Sequence, residues 1–190
     1  LLELEAVLPE LDANATLLDV GSGVGDIAAR AREMARQQRV DLSLITIDMA
    51  ETLAVASRAR TGNAVRGNAT ALPFADRSVD VVMCSQTLHH FEDASAARVL
   101  KELDRVARVR VIISDLRRSW LAAAGLWLAS FPLGFHPVSR HDGVVSIMRG
   151  YTRDELRRLV QSSTGRMPNV KQHIGWRVTA TWRPEHRPVQ

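Results

Sequence analysis

Three glycines at alternate positions, Gly21, Gly23 and Gly25, follow an aliphatic run that carries Asp19 and ends at Val20, and a helical pattern starts at Asp26. A strand that breaks into a glycine loop and turns into a helix is a crossover suited to a nucleotide-like ligand. One glycine lets the chain reverse, one lets a ligand approach bare backbone, and one lets the helix press on the sheet. A dinucleotide loop is spaced G-x-G-x-x-G and receives a pyrophosphate at a helix N-terminus. Here the spacing is G-x-G-x-G with a carboxylate ahead of it. Asp19 would repel a phosphate and pair with an ammonium group. A tight turn without a ligand is the plainer alternative. Asp48 closes the next aliphatic run, about 25 residues past the glycines, where a carboxylate that accepts both ribose hydroxyls is expected. A turn aspartate or helix cap would look the same. Met49 beside it could cover an adenine face.

Histidine suits proton transfer near neutral pH, with an ordinary pKa of about 6.5. His89, His90, His136 and His141 are the candidates. His141 ranks first, in an insert expected over the cleft, and His89 second; hydrogen bonding within the loop beside Asp142 is the competing role for His141. Arg117 and Arg140 could hold an acidic or phenolate substrate, or pair with Asp115 and Asp142. Cys84 ends an apolar run and reads as a small buried residue rather than a catalytic thiol. As the single cysteine it excludes an internal disulfide and a multi-cysteine metal site, and no metal is expected.

The segment D-V-G-S-G-V-G-D, residues 19–26, resembles motif I of the class I S-adenosylmethionine-dependent methyltransferases. That cofactor carries an ammonium group and no phosphate. The stretch from Gly67 through Leu72-Pro73-Phe74-Ala75-Asp76 to Asp80 is similar to the family's G-D-A-x-x-L-P-F-x-D-x-S-F-D segment. Asn68 stands where the family usually has an acid that receives the adenine amino group; an amide oxygen can accept that bond without charge. Cys84 through Asp93, containing Leu88-His89-His90, is similar to motif IV. The likeness runs from about Leu17 to Asp115, in family order. It implies S-adenosyl-L-methionine as cofactor, S-adenosyl-L-homocysteine as product, and a cofactor site of Asp19, Gly21, Ser22, Gly23, Gly25, Asp48, Met49, Asn68, Ala69 and the backbone of Cys84. His90, Asp115, Arg117, His136 and Arg140 would line the acceptor side. Residues 114–119, 136–146 and 151–156 resemble bacterial small-molecule methyltransferases that accompany type III polyketide synthases. Such relatives often have a longer N-terminal cover. This chain starts close to its first strand and with Leu1 rather than Met, as a truncated or processed form would.

The chain has 190 residues, 46% hydrophobic and 24% charged, which fits one domain with a full core. The formal charge of +4 is nearly all arginine, with lysine only at Lys101 and Lys171. The arginines are dispersed rather than gathered into a stripe with aromatic platforms, which argues against a nucleic-acid interface. No apolar run reaches the roughly 20 residues of a membrane span. No signal-peptide architecture is seen, so a cytoplasmic location is expected.

The elements that would position these residues alternate. Helical spacing covers 1–11, 26–38, 50–60, 93–107, 119–130 and 152–161. Strand patterns cover 16–20, 42–47, 64–66, 79–84, 109–114, 170–174 and 177–182. Thr152 and Glu155 form a capping-box pattern. This predicts an α/β fold: a doubly wound, mostly parallel seven-stranded sheet with its last strand antiparallel, in one domain over 1–190, with 116–150 as a substrate-side lid insert. The reaction implied is methyl transfer to the oxygen or carbon of a small phenolic, quinol or polyketide-like acceptor. A nucleic-acid methyltransferase and a cofactor-binding module with little catalysis are the alternatives; the oligomeric state is not legible.

Overall fold

The computed structural model describes residues 1–184. Its central strands are apolar throughout because both faces of the sheet are covered. In β4 (Val79–Ser85) every residue up to Cys84 is buried. β1 (Asn14–Val20), β2 (Asp41–Asp48), β3 (Ala64–Arg66), β4 and β5 (Ala107–Leu116) are parallel. β6 (Asn169–His173) and β7 (Arg177–Trp182) complete the sheet in the order β3-β2-β1-β4-β5-β7-β6, with β7 antiparallel to both neighbours. The expected doubly wound sheet is therefore present. The order reverses between β1 and β4, which makes the carboxyl edge there the binding crevice of such folds.

The helices α1 (Leu2–Glu5), α2 (Asp26–Gln37) and α3 (Glu51–Thr61) cover one face. α4 (Asp93–Val106) and α7 (Arg153–Thr164) cover the other, burying Leu100, Leu103, Leu156 and Val160 against β4, β5 and β7. Each such side chain contributes about 1.5–3 kcal/mol by leaving water. Thr152 caps α7 and Glu155 completes the capping box. Arg105 explains the Leu72–Asp76 motif. Its guanidinium donates to the carbonyls of Leu72 and Phe74 and to Glu102 and Asp76, which holds that loop onto α4.

Three segments depart from the sequence expectation. Residues 1–11 form the short α1 and a 3-10 turn at Leu8–Glu10, not one helix, because Pro9 opens the turn and gives no N–H to continue the first. α4 ends at Val106 and β5 starts at once, two residues early. Residues 116–150 form a helical hairpin of α5 (Trp120–Ala129) and α6 (Pro137–Arg149). α6 was expected as loop. Pro137 supplies a helical φ at the first position and the His136 ring accepts the Val138 N–H at 3.3 Å. Gly143, which weakens the helical pattern, lies close against α5: a Cβ there would come 2.8 Å from a terminal methyl of Leu126, which would have to shift.

Candidate active site

The glycine loop leaves β1 and is pinned by three hydrogen bonds to the end of β2. Gly21 and Ser22 donate backbone N–H groups to the Ile47 carbonyl, and Gly23 donates to Asp48 Oδ2 at 2.9 Å. A Cβ on Gly21 would overlap the Thr87 side chain at 2.3 Å, and one on Gly25 would meet Ser57 Oγ at 2.4 Å. Gly25 thus presses the start of α2 onto α3, a helix–helix contact rather than the helix–sheet contact expected. Gly23 differs: a Cβ there would meet no protein atom within 4 Å. Its bare backbone faces open space.

Behind the loop Asp19 is buried, and neither of its carboxylate oxygens has a partner; the buried hydroxyl of Ser22 also lacks one. Burial, reinforced by Asp26 and Asp48, pushes the Asp19 carboxyl up to about 7. A buried carboxylate without a counter-charge is costly, and an ammonium group is the complement that Asp19 lacks.

A cleft of about 350 Å³ opens above the loop, walled by Gly21, Gly23, Asp48, Met49, Asn68 and Ala69. Asp48 also accepts the Ala50 N–H, so each of its oxygens already holds one backbone donor and keeps a lone pair for a sugar hydroxyl. Met49 is exposed at the cleft wall. Asn68 Oδ1 accepts both the N–H and the hydroxyl of Thr70 at 2.9 Å. The oxygen assigned to adenine is thus engaged within its own loop. Gln86 lines the cleft with φ +54 and was not foreseen; only its place just after β4 could have marked it. The thiol of Cys84 is buried in the core and its pKa is raised by burial, then by Asp115 and Asp19, which leaves it inert.

His90 and Phe91 line this cleft and also a larger cavity of about 1020 Å³. That cavity is walled by His89, Arg118, Arg149, Tyr151, Glu155 and Arg158 among others. The 3-10 turn Leu88–His90 turns His89 inward. Its Nδ1 lies 2.6 Å from Asp115 Oδ1, and its backbone N–H donates to Asp115 Oδ2 at 3.1 Å. Asp115, fully buried at the end of β5, also accepts the Leu116 N–H. Its oxygens are thus spent on orienting His89. The His90 ring is 4.1 Å from that of His89. Burial, the neighbouring imidazole and Arg149 lower its pKa against the pull of Asp115.

The other acceptor-side residues lie elsewhere. Arg117 donates to Gln172. Arg140 lies over the Phe131 ring at 3.7 Å and donates to the Phe135 carbonyl. His136 is the cap of α6, and His141 is exposed along it. Neither histidine lines the cleft or the large cavity. Arg149, Tyr151 and Arg158 line the cavity instead; nothing in their spacing marks them. Tyr151 bonds the Leu88 carbonyl at 3.4 Å, and its hydroxyl pKa is raised by burial and by Asp115. Among the described residues no group of three or more His, Cys, Asp or Glu could hold a metal.

A parallel sheet with this order, a glycine loop at its reversal and an unpaired acid beneath the loop define the class I S-adenosylmethionine-dependent methyltransferase fold. The chain belongs to the family described as "Methyltransferase domain", whose profile matches residues 18–113. An uncharacterized methyltransferase of Mycolicibacterium gilvum is 31% identical over 147 residues, 75% of this chain and 49% of its own length. The chain spans about two fifths to one half of the curated relatives it matches. A SAM-dependent methyltransferase of Methanosarcina mazei superposes with a TM-score of 0.67 at 16% identity, covering 94% of this chain and 96% of that one. Magnesium protoporphyrin IX methyltransferase of Synechocystis, solved with bound SAH, gives 0.62 at 14%, covering 97% and 83%. The last two likenesses concern the fold.

The residues present fit S-adenosylmethionine. Asp19 lacks the cation that its ammonium would provide, Gly23 leaves room where it would approach, and Asp48 retains acceptor capacity at the cleft wall.

Proposed function

We propose that the chain transfers a methyl group to the oxygen or carbon of a small phenolic, quinol or polyketide-like acceptor, with His89 as general base. The observation that carries this reading is the buried His89–Asp115 pair on a cavity that shares the His90–Phe91 wall with the cofactor cleft. The cofactor supplies a methyl group on a positively charged sulfur. The chain's own residues do the rest. Asp48 and Gly23 hold the nucleoside end, and Asp19 holds the ammonium end. Asn68, with its oxygen engaged by Thr70, offers adenine its amide N–H groups.

His89 bonded to Asp115 through Nδ1–H leaves Nε2 as the basic atom. A phenol has a pKa near 10, so its oxygen is a poor nucleophile at neutral pH until the proton leaves. Nε2 accepts that proton as the oxygen–methyl bond forms and the sulfur–methyl bond breaks, its electron pair going to sulfur. Asp115 stabilises the imidazolium that results. General-base help of this kind is worth about 10²–10⁴-fold, and in-line alignment can contribute about 7–11 kcal/mol more.

The test is a transfer assay with methyl-labelled S-adenosylmethionine against phenols, quinols and small polyketide-like compounds, run beside calorimetry with S-adenosylhomocysteine. Labelled product that is lost in His89→Ala, with the calorimetric heat retained, supports the reading. Heat without transfer to any acceptor favours a binding module. No heat at all removes the cofactor assignment. A methyltransferase of nucleic acids would instead show RNA affinity that falls steeply with salt.

A further inference from the structure

α5 is packed the wrong way round for a helix on a water-facing surface. Such a helix buries its large apolar residues and exposes polar ones. α5 buries Ala122 and Ala123, while Trp120, Leu121, Trp127 and Leu128 stand 50–71% exposed. The connection to α6 adds Phe131, Leu133 and Phe135, again exposed, and α6 buries no residue at all. The result is an apolar face that runs from Trp120 and Leu121 near the base of the hairpin to Phe131, Leu133 and Phe135 at its tip, with Trp127 and Phe131 stacked edge-to-face at 4.9 Å.

Charge complementarity identifies what covers this surface. Residues 116–149 carry Arg117, Arg118, Arg140 and Arg149 against a single acid, Asp142. Arg118 pairs with Glu155. Among the described residues Arg117, Arg140 and Arg149 have no acidic partner: Arg117 meets a glutamine, and Arg140 an aromatic face and a carbonyl. An apolar face with aromatic residues and flanking arginines is the composition of an element that lies in a bilayer interface, its side chains about 5–10 Å deep and its cations among anionic headgroups. A second copy of the chain fits less well, because a two-fold contact would bring both sets of arginines around the same apolar patch. The ten residues of α5 are too short to cross a bilayer, and no helix among the described residues is long and apolar enough to do so.

We propose that the α5–α6 hairpin docks the protein onto the surface of an anionic lipid bilayer. The base of the hairpin is clamped to the body: Tyr151 N–H donates to the Leu116 carbonyl and Arg118 N–H to the Tyr151 carbonyl. α6 returns from the tip past the Leu88–His90 turn to Arg149 and Gly150, which line the large cavity. Docking by the hairpin therefore holds the cavity wall at Arg149 against the headgroups. The inference does not rest on methyl transfer.

Co-sedimentation of the full chain with vesicles tests it. Vesicles of phosphatidylcholine containing 30% phosphatidylglycerol should take up the protein at least about tenfold better than phosphatidylcholine alone, since each arginine at the surface adds about fivefold. Raising the salt should release it. Trp120→Gln combined with Leu128→Gln, both at exposed positions, should lower uptake by about tenfold or more with the heat of S-adenosylhomocysteine binding unchanged. That heat, measured on the same preparation, reports the cofactor site independently, so the two readings fail separately. Equal uptake of the double variant and the parent, or no preference for the anionic vesicles, overturns the proposal. So does a dimer in solution that the double variant dissociates while neither form binds vesicles.

Discussion

Asp48 Oδ2 accepts the backbone N–H of Gly23 at 2.9 Å. The carboxylate expected to grip a sugar therefore also fixes the loop that must meet the rest of the cofactor. Asp48→Ala removes both functions at once, so calorimetry with S-adenosylhomocysteine should show no heat. Asp48→Asn keeps an oxygen for one of them and should weaken binding by about 10–100-fold, the range for a lost charge-assisted hydrogen bond. Gly23→Val clashes with no protein atom, but φ +55 strains a side chain by about 1–2 kcal/mol, so Gly23→Ala is the strain control and its melting curve is measured beside it. The branched side chain of Gly23→Val fills the approach and should abolish the heat. Retained binding in that variant would place the cofactor elsewhere.

Asp19 makes cofactor binding and stability respond to pH in opposite senses. In the folded protein its carboxyl is pushed up to about 7, from an ordinary 3.8. The native state then holds a proton that the unfolded chain releases between those values. Stability of the ligand-free protein should be greatest below about pH 4 on this account. It should fall as pH rises toward 7, by up to about 4 kcal/mol. Binding needs the ionised form, so affinity for S-adenosylhomocysteine should rise by up to about tenfold per pH unit below 7. Asp19→Asn should raise the ligand-free Tm at pH 8 by about 5–15 °C, and should weaken and flatten the binding. Melting curves and calorimetry at pH 6, 7 and 8 would decide it. A lowered Tm at pH 8 would mean that Asp19 has a partner.

His89 and Asp115 should act as a unit. His89→Ala should lower kcat by about 10²–10⁴-fold. Asp115→Asn can present an N–H to Nδ1, which favours the wrong tautomer and should cost a comparable factor. In both, the heat of S-adenosylhomocysteine binding should persist, which separates lost chemistry from lost cofactor. His141→Ala, on the exposed α6, should leave the rate within about twofold. A large loss there would return the base to the histidine ranked first on the sequence, in the insert expected over the cleft.

The parts of the site made by local chain geometry were legible in the sequence. The glycine loop, Asp48 after β2 and the His89–His90 pair all stand at strand ends, where pattern alone places a ligand. Asp19 was legible as an acid seeking an ammonium, though not as one stripped of every hydrogen bond. What escaped depends on contacts between distant segments. His89 meets Asp115 across 26 positions of sequence. Arg149 and Arg158 reach the large cavity because α6 returns to the Leu88–His90 turn and α7 packs on α4. α6 itself was obscured by Gly143, which packs close to Leu126 on the facing helix.

Asp80 shows how the sheet holds the site in place without belonging to it. Its Oδ2 accepts the N–H and hydroxyl of Thr16 at 2.9 and 2.8 Å, while Oδ1 accepts Arg108 Nε at 2.8 Å. One carboxylate thus ties β1, β4 and β5 together at the end of the sheet opposite the cleft. Burial pushes its pKa up, but the donors from Thr16 and Arg108 outweigh it and hold the carboxyl below its ordinary value. Its contribution is fully present above about pH 4 and is lost as pH falls through the lowered value, the reverse of Asp19. Asp80→Ala leaves the half-buried N–H and hydroxyl of Thr16 without their partner and should cost about 1–3 kcal/mol. Arg108→Gln should cost about 1 kcal/mol or less, because that guanidinium is half exposed. Neither should change the affinity for S-adenosylhomocysteine at 20 °C, where both variants remain folded. Denaturant titration beside calorimetry would check this. A weakened affinity in folded Asp80→Ala would show that the register of β1 against β4 is transmitted to the glycine loop.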